Sequence, residues 1–148
     1  MREDEVYYVS EHRGAYNNTE ELPDINYDEP DVVLFPISIT RFAAMEAARE
    51  LKKEGIKVAV HHIVQIKPFL PTVPSLKQLT NSKFGGIVLD DDYVDGIAKS
   101  LSFDLMKQTN AKMSVLGLED KTAGFYAKVD NLPPNKEKII AEIRRMMK

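Results

Sequence analysis

Residues 31–65, DVVLFPISITRFAAMEAARELKKEGIKVAVHHIVQ, read as a strand, a turn, a helix closed by glycine, and a second strand. Residues 32–35 form a short unbroken apolar run, as a strand covered on both faces requires, and residues 58–64 form another, rich in β-branched side chains. Between them Ala43, Ala44, Ala47, Ala48 and Leu51 recur at helical spacing. Small side chains on one stripe let a helix lie close on a sheet. Ser38 or Thr40 is placed to cap the start, because a hydroxyl there accepts from exposed first-turn amides, and Gly55 stands where a left-handed terminator belongs. Two parallel strands joined through a helix make one complete βαβ unit.

Downstream, Pro68, Pro71 and Pro74 forbid a continuing strand. Pro74 suits the first turn of a short helix through Leu76 and Leu79, with Thr72 as its cap. Gly85 and Gly86 lead into a third strand at residues 87–89, which ends in Asp90, Asp91 and Asp92. Val94, Ile97, Ala98, Leu101 and Leu105 mark the next helix by their spacing. Residues 112–116 read as a fourth strand, residues 119–134 as loop, and Asn135 as the cap of a final helix that buries Ile139, Ile140, Ile143, Met146 and Met147. Strands alternating with helices predict a mainly parallel sheet between two helical layers, with right-handed crossovers.

Residues 1–30 are a different kind of chain. They hold nine acidic residues against Arg2 and Arg13, a net of −7, whereas residues 31–148 hold fourteen against eighteen basic ones, a net of +4. The expected division is therefore an extended acidic lead-in over residues 1–30 and a single α/β domain over residues 31–148. One strand is expected at residues 6–9. Tyr7, Tyr8, Tyr16 and Tyr27 either anchor an interface with another domain or subunit, or pack on the nearest surface of the body.

Composition narrows the function. A hydrophobic fraction of 43% and a charged fraction of 29% are ordinary for a globular protein of 148 residues, and no apolar run approaches the ~20 residues of a membrane span. The charged opening MREDEV, with no apolar core after it, is not expected to serve as a signal peptide. Absence of cysteine removes disulfides, thiol nucleophiles and thiolate metal sites, and agrees with a cytoplasmic location. Positive charges scattered singly along helices lack the dense basic stripe of a nucleic-acid binder, so neither nucleic acid nor membrane is an expected partner.

Chemistry in such a sheet belongs at the carboxyl ends of the strands. Four loops qualify, at residues 36–41, 65–69, 90–93 and 117–120. The first presents helix amides beside Ser38 and Arg41, a seat for a phosphate or carboxylate, or simply a helix cap; no glycine-rich nucleotide fingerprint accompanies it. Asp90 and Asp91 follow a strand as magnesium-binding carboxylates often do, although the plainer role is for Asp91 or Asp92 to cap the next helix. His61 and His62, adjacent in a strand, point to opposite faces and cannot share one ion. No serine sits in a nucleophile-elbow pattern. Two functional classes follow from these residues: a small-anion or metabolite binding module using Ser38, Arg41, His62 and Asp90, and a hydrolase holding magnesium on Asp90 and Asp91.

The series DVVLFPISITRFAAMEAARELKKEGIKVAVHHIVQIKPF, GGIVLDDD, DGIAKSL, SVLGLED and LPPNKEKIIAEI also resembles the C-terminal domain of transketolase-like thiamine diphosphate enzymes. That family includes transketolase, a transferase, and the β subunit of the decarboxylating component of 2-oxoacid dehydrogenases. The marks are the alanine-rich helix ending in LKKEGI, the pair Lys67 and Pro68 after the second strand, and the acid-ended third strand. Where the family usually has a glycine after the first strand, Pro36 or Ile37 stands; His62, Val64 and Gln65 replace the usual end of the second strand. The resemblance implies a three-layer αβα sandwich on a five-stranded mixed sheet, one strand antiparallel. It also implies that thiamine diphosphate and magnesium belong to the parent enzyme's other domains, with no cofactor bound by this chain alone. The domain would then be a structural and assembly element with no catalytic residue of its own. It would pack on other domains or subunits in a homodimeric or heteromeric assembly.

Overall fold

A computed structural model describes residues 6–122 and 130–148. Its sheet is built from β1 (Val32–Pro36), β2 (Val58–Val60), β3 (Gly86–Tyr93) and β4 (Met113–Leu118), in the order β2-β1-β3-β4 with every pair parallel. The crossovers carry α1 (Thr40–Lys53), α2 (Val73–Thr80) and α3 (Ile97–Thr109), and α4 (Lys136–Met146) closes the chain. Alternation along the strands sorts the core into two halves. Val32, Leu34, Val58, Val60, Ile87 and Leu89 face α1 and α4, while Val33, Phe35, Ala59 and Val88 face α2 and α3. The three-layer αβα sandwich is therefore the fold of the chain.

The sheet differs from the expectation in strand number and direction. Among the described residues it has four strands, all parallel, rather than five with one antiparallel. The antiparallel contribution is a single bridge, in which Ile25 and Val60 exchange both backbone hydrogen bonds at 2.9 Å on the outer edge of β2. The bridge cannot lengthen, because Pro23 has no N–H to offer and the Asp24 carboxylate takes the His62 amide at 3.0 Å. β2 itself ends at Val60 instead of Val64. Beyond it the His61 N–H still donates to Leu34 and an isolated bridge joins Ile37 to Ile63.

Several local expectations hold. Thr72 caps α2 by accepting from Ser75, Asn135 caps α4 by accepting from Lys138, and Gly55 after α1 has φ 80°. Others are corrected. The cap of α1 is Ile39 with no side-chain bond, because the Thr40 hydroxyl donates to the carbonyls of Ile37 and Leu89 and so staples the helix to β1 and β3. Val94 precedes α3: its N–H still donates to Leu118 of β4, and Gly96 occupies the cap position without any aspartate. Residues 6–9 form no strand and stand exposed. Part of the expected loop at residues 119–134 lies outside the described residues. No helix among the described residues is long and apolar enough to cross a membrane.

α4 follows a loop, yet Ile139 and Ile143 have no exposure and pack with Leu51 of α1. Ile143→Ala should therefore lower the stability of the whole fold by about 2–5 kcal/mol in urea, with one cooperative transition retained. A separate early transition for α4, with the main one unmoved, would show that the helix is only appended.

Candidate functional site

The chain runs from β1 outward to β2 and then returns across β1 to β3, so the topological switch lies between β1 and β3. In sheets of this kind the crevice at the carboxyl end of that switch is where ligands meet the chain. Two side-chain groups occupy the end of the sheet here.

The first group lies over the switch. Ile37 N–H donates to Leu89 at 2.8 Å, which brings the turn after β1 against β3. Ser38 then takes φ 53°, a left-handed conformation unusual for a residue with a side chain, and its hydroxyl donates to Asp91 at 2.8 Å. The aspartates are displaced by a register shift. Leu89 pairs with Leu116 and Tyr93 with Leu118, so four residues of β3 advance over two of β4. Bulges of this kind re-aim side chains at strand ends. A Cβ on Gly117 would lie 2.5 Å from the Asp92 carbonyl, so the bulge requires glycine opposite it.

Asp90 is the buried member, 2% exposed. Its Oδ1 accepts from the Asp92 amide at 3.3 Å, whereas Oδ2 has no hydrogen-bond partner among the described residues. Burial, reinforced by the neighbouring Asp91 charge, pushes its carboxyl up to about 6. Unlike the unfolded carboxyl, which ionises near 3.8, the folded one keeps its proton until about pH 6. Asp90 therefore disfavours the fold progressively as pH rises between those values, and to its full extent above them. Asp90→Asn should be more stable than the parent above pH 6, by up to about 3 kcal/mol, with the gain vanishing toward pH 4. Urea unfolding of both proteins across that range measures it; a gain that did not change with pH would remove ionisation as the cause.

The second group lies over β2. His61, 5% exposed, places Nδ1 3.2 Å from Asp24, and the His62 amide donates to the other Asp24 oxygen at 3.0 Å. His62 Nε2 donates to the Pro23 carbonyl at 3.3 Å. Desolvation, followed by the charge of Arg41, holds His62 below its ordinary value, so its ring is neutral at pH 7. Beside these residues is a cleft of about 230 Å³, lined in part by Phe35, His62, Val64, Phe69 and Thr72.

The structure thus joins Ser38 to Asp91, leaves Asp90 buried beside that pair, and places Arg41 within the electrostatic reach of His62. Among the described residues no hydrogen bond links the two groups. Sequence reasoning missed Asp24, which binds both neighbouring histidine residues; its signal was the apolar pair Leu22 and Ile25 around it, which packs that stretch on the body. Asp24→Ala should cost about 1–3 kcal/mol, since it strips partners from a buried ring and a backbone amide. An unchanged unfolding midpoint would show that the leader is held by its other contacts, those of Leu22, Ile25 and Tyr27 among them, without Asp24.

The residues present do not fit thiamine diphosphate. The Thr40, Arg41 and Phe42 amides at the start of α1 donate to the carbonyls of Ile37, Ser38 and Ile39, and Asp91 faces the same turn. Amides already bonded within the turn, with a carboxylate beside them, form no open cradle for a diphosphate. Among the described residues no group of three or more His, Asp or Glu is placed to hold a metal ion.

The three-layer α/β fold, with its switch between β1 and β3, is shared with parts of larger solved chains. The chain superposes with a TM-score of 0.63 and 19% identity on a split-gene transketolase described as an inactive β4 tetramer, over 80% of this chain and 39% of that one. It superposes with a TM-score of 0.60 and 20% identity on a 2-oxoglutarate:ferredoxin oxidoreductase from Magnetococcus marinus, over 82% of this chain and 18% of that one. That structure holds 2-oxoglutarate, coenzyme A and succinyl-CoA. The chain thus spans well under half the length of either solved chain. No family model matches it, and no curated protein matches it in sequence.

Proposed function

We propose that this chain serves as the C-terminal domain or subunit of a cytoplasmic thiamine diphosphate enzyme of the transketolase or 2-oxoacid-converting kind. Its work is to bury surface against thiamine-binding domains and support their assembly, with the cofactor held by those other domains. The observation that carries this reading is superposition on two such enzymes over four-fifths of the chain. The turn after β1, whose first amides are already bonded and which faces Asp91, supports placing the cofactor on those other domains. Calorimetry of the chain with thiamine diphosphate and magnesium should show no saturable heat. Binding with micromolar affinity, about −8 kcal/mol, would contradict the division of labour. The cleft beside His62 favours a second reading, a metabolite-binding module, and the same calorimetry against phosphorylated sugars tests it.

A further inference from the structure

The two helical layers have unlike outer faces. Among the described residues, neither α1 nor α4 exposes a large apolar side chain, and ion pairs from Lys136 to Glu50 and from Arg144 to Glu54 run between them. The α2 and α3 side is different. Val73 is 80% exposed and Phe103 58%, and Val64, Leu70 and Met106 are exposed with them. Lys67, Lys77 and Lys107 are exposed on these same elements, against the one acid Asp104 beside Phe103, and none of the four makes an ion pair among the described residues. Val73 and Lys77 share one stripe of α2, and Phe103 and Lys107 one stripe of the adjoining α3. An apolar surface dotted with unpaired cations is suited to an apolar segment flanked by acids.

The chain itself contains such a segment. Val6, Tyr8 and Val9 are exposed in an extended arm, Tyr8 at 94%. The sequence flanks them with Glu3, Asp4 and Glu5 on one side and Glu11 on the other. Within one molecule both surfaces remain in water. We propose that the face formed by α2, α3 and residues 64–73 receives the arm of a second copy of this chain, with its Val6, Tyr8 and Val9 laid over Val73 and Phe103 and its acids beside the lysine residues. If each copy gives an arm and receives one, the contact is two-fold and closed.

The absence of cysteine makes the test direct. Sedimentation of the full chain should show a reversible dimer that weakens with salt. Tyr8→Glu and Phe103→Glu, both at exposed positions, should each weaken it by about tenfold or more, equivalent to about 1.4 kcal/mol. When Tyr8→Cys and Phe103→Cys are carried on separate chains and mixed, mild oxidation should join them far faster than Tyr8→Cys with Arg49→Cys on α1. A chain that stays monomeric would overturn the proposal. So would a dimer indifferent to both glutamate variants, equal joining to Arg49→Cys, or a disulfide between positions 8 and 103 formed within monomers of the doubly substituted chain. None of these outcomes depends on thiamine diphosphate, so failure here is distinct from failure of the proposed function.

Discussion

The structure depends on one constraint: β1 has no face turned to water. Val32, Val33, Leu34, Phe35 and Pro36 are all buried, and their side chains point alternately to opposite sides. A strand of that kind folds only if helices cover both sides and strands pair with both edges. α1 and α4 supply one cover, α2 and α3 the other, while β2 and β3 satisfy the two rows of backbone groups. The switch crevice follows from the same requirement, since a strand paired on both sides needs a connection that crosses it.

Polar groups at the carboxyl end are arranged around this strand with unequal success. Thr40 satisfies two carbonyls at once, one from each neighbour of the switch. Asp31 at the opposite end is also settled, accepting from the Lys57 amide at 2.7 Å and the Lys83 ammonium at 2.8 Å. Asp90 is not: burial works against its charge, and the adjacent Asp91 offers a like charge instead of a partner. A buried carboxyl without a partner at the carboxyl end of the strands bears a cost in stability. Natural folds retain such costs most often at sites of function or assembly.

Where the local code was sufficient, the sequence was readable. The unbroken apolar run at residues 32–35, the alanine stripe of α1, and the caps Thr72 and Asn135 each concern residues within one turn or one strand. Their physics is settled by near neighbours. The candidate site was legible only in composition. Ser38 and Asp91 could be named, but their hydrogen bond spans 53 positions and depends on a turn held by Leu89. The bulge that carries the aspartates depends on register against β4, and a strand read alone has no register. Asp24 was overlooked for a related reason, since an acid in a turn-rich leader looks solvated until the edge of β2 is beside it. The fifth, antiparallel strand was inferred from likeness to a family, and the leader's proline and aspartate limit that contact to one bridge.

Amide hydrogen exchange under native conditions tests the central constraint most directly. If β1 is the strand around which both layers close, the amides of Leu34 and Phe35 exchange only when the whole molecule unfolds, with the free energy of global unfolding. The account predicts that value for both residues, together with the same value for Val88 in β3. Exchange of the β1 amides through a smaller, local opening, while the helices stay protected, would contradict it.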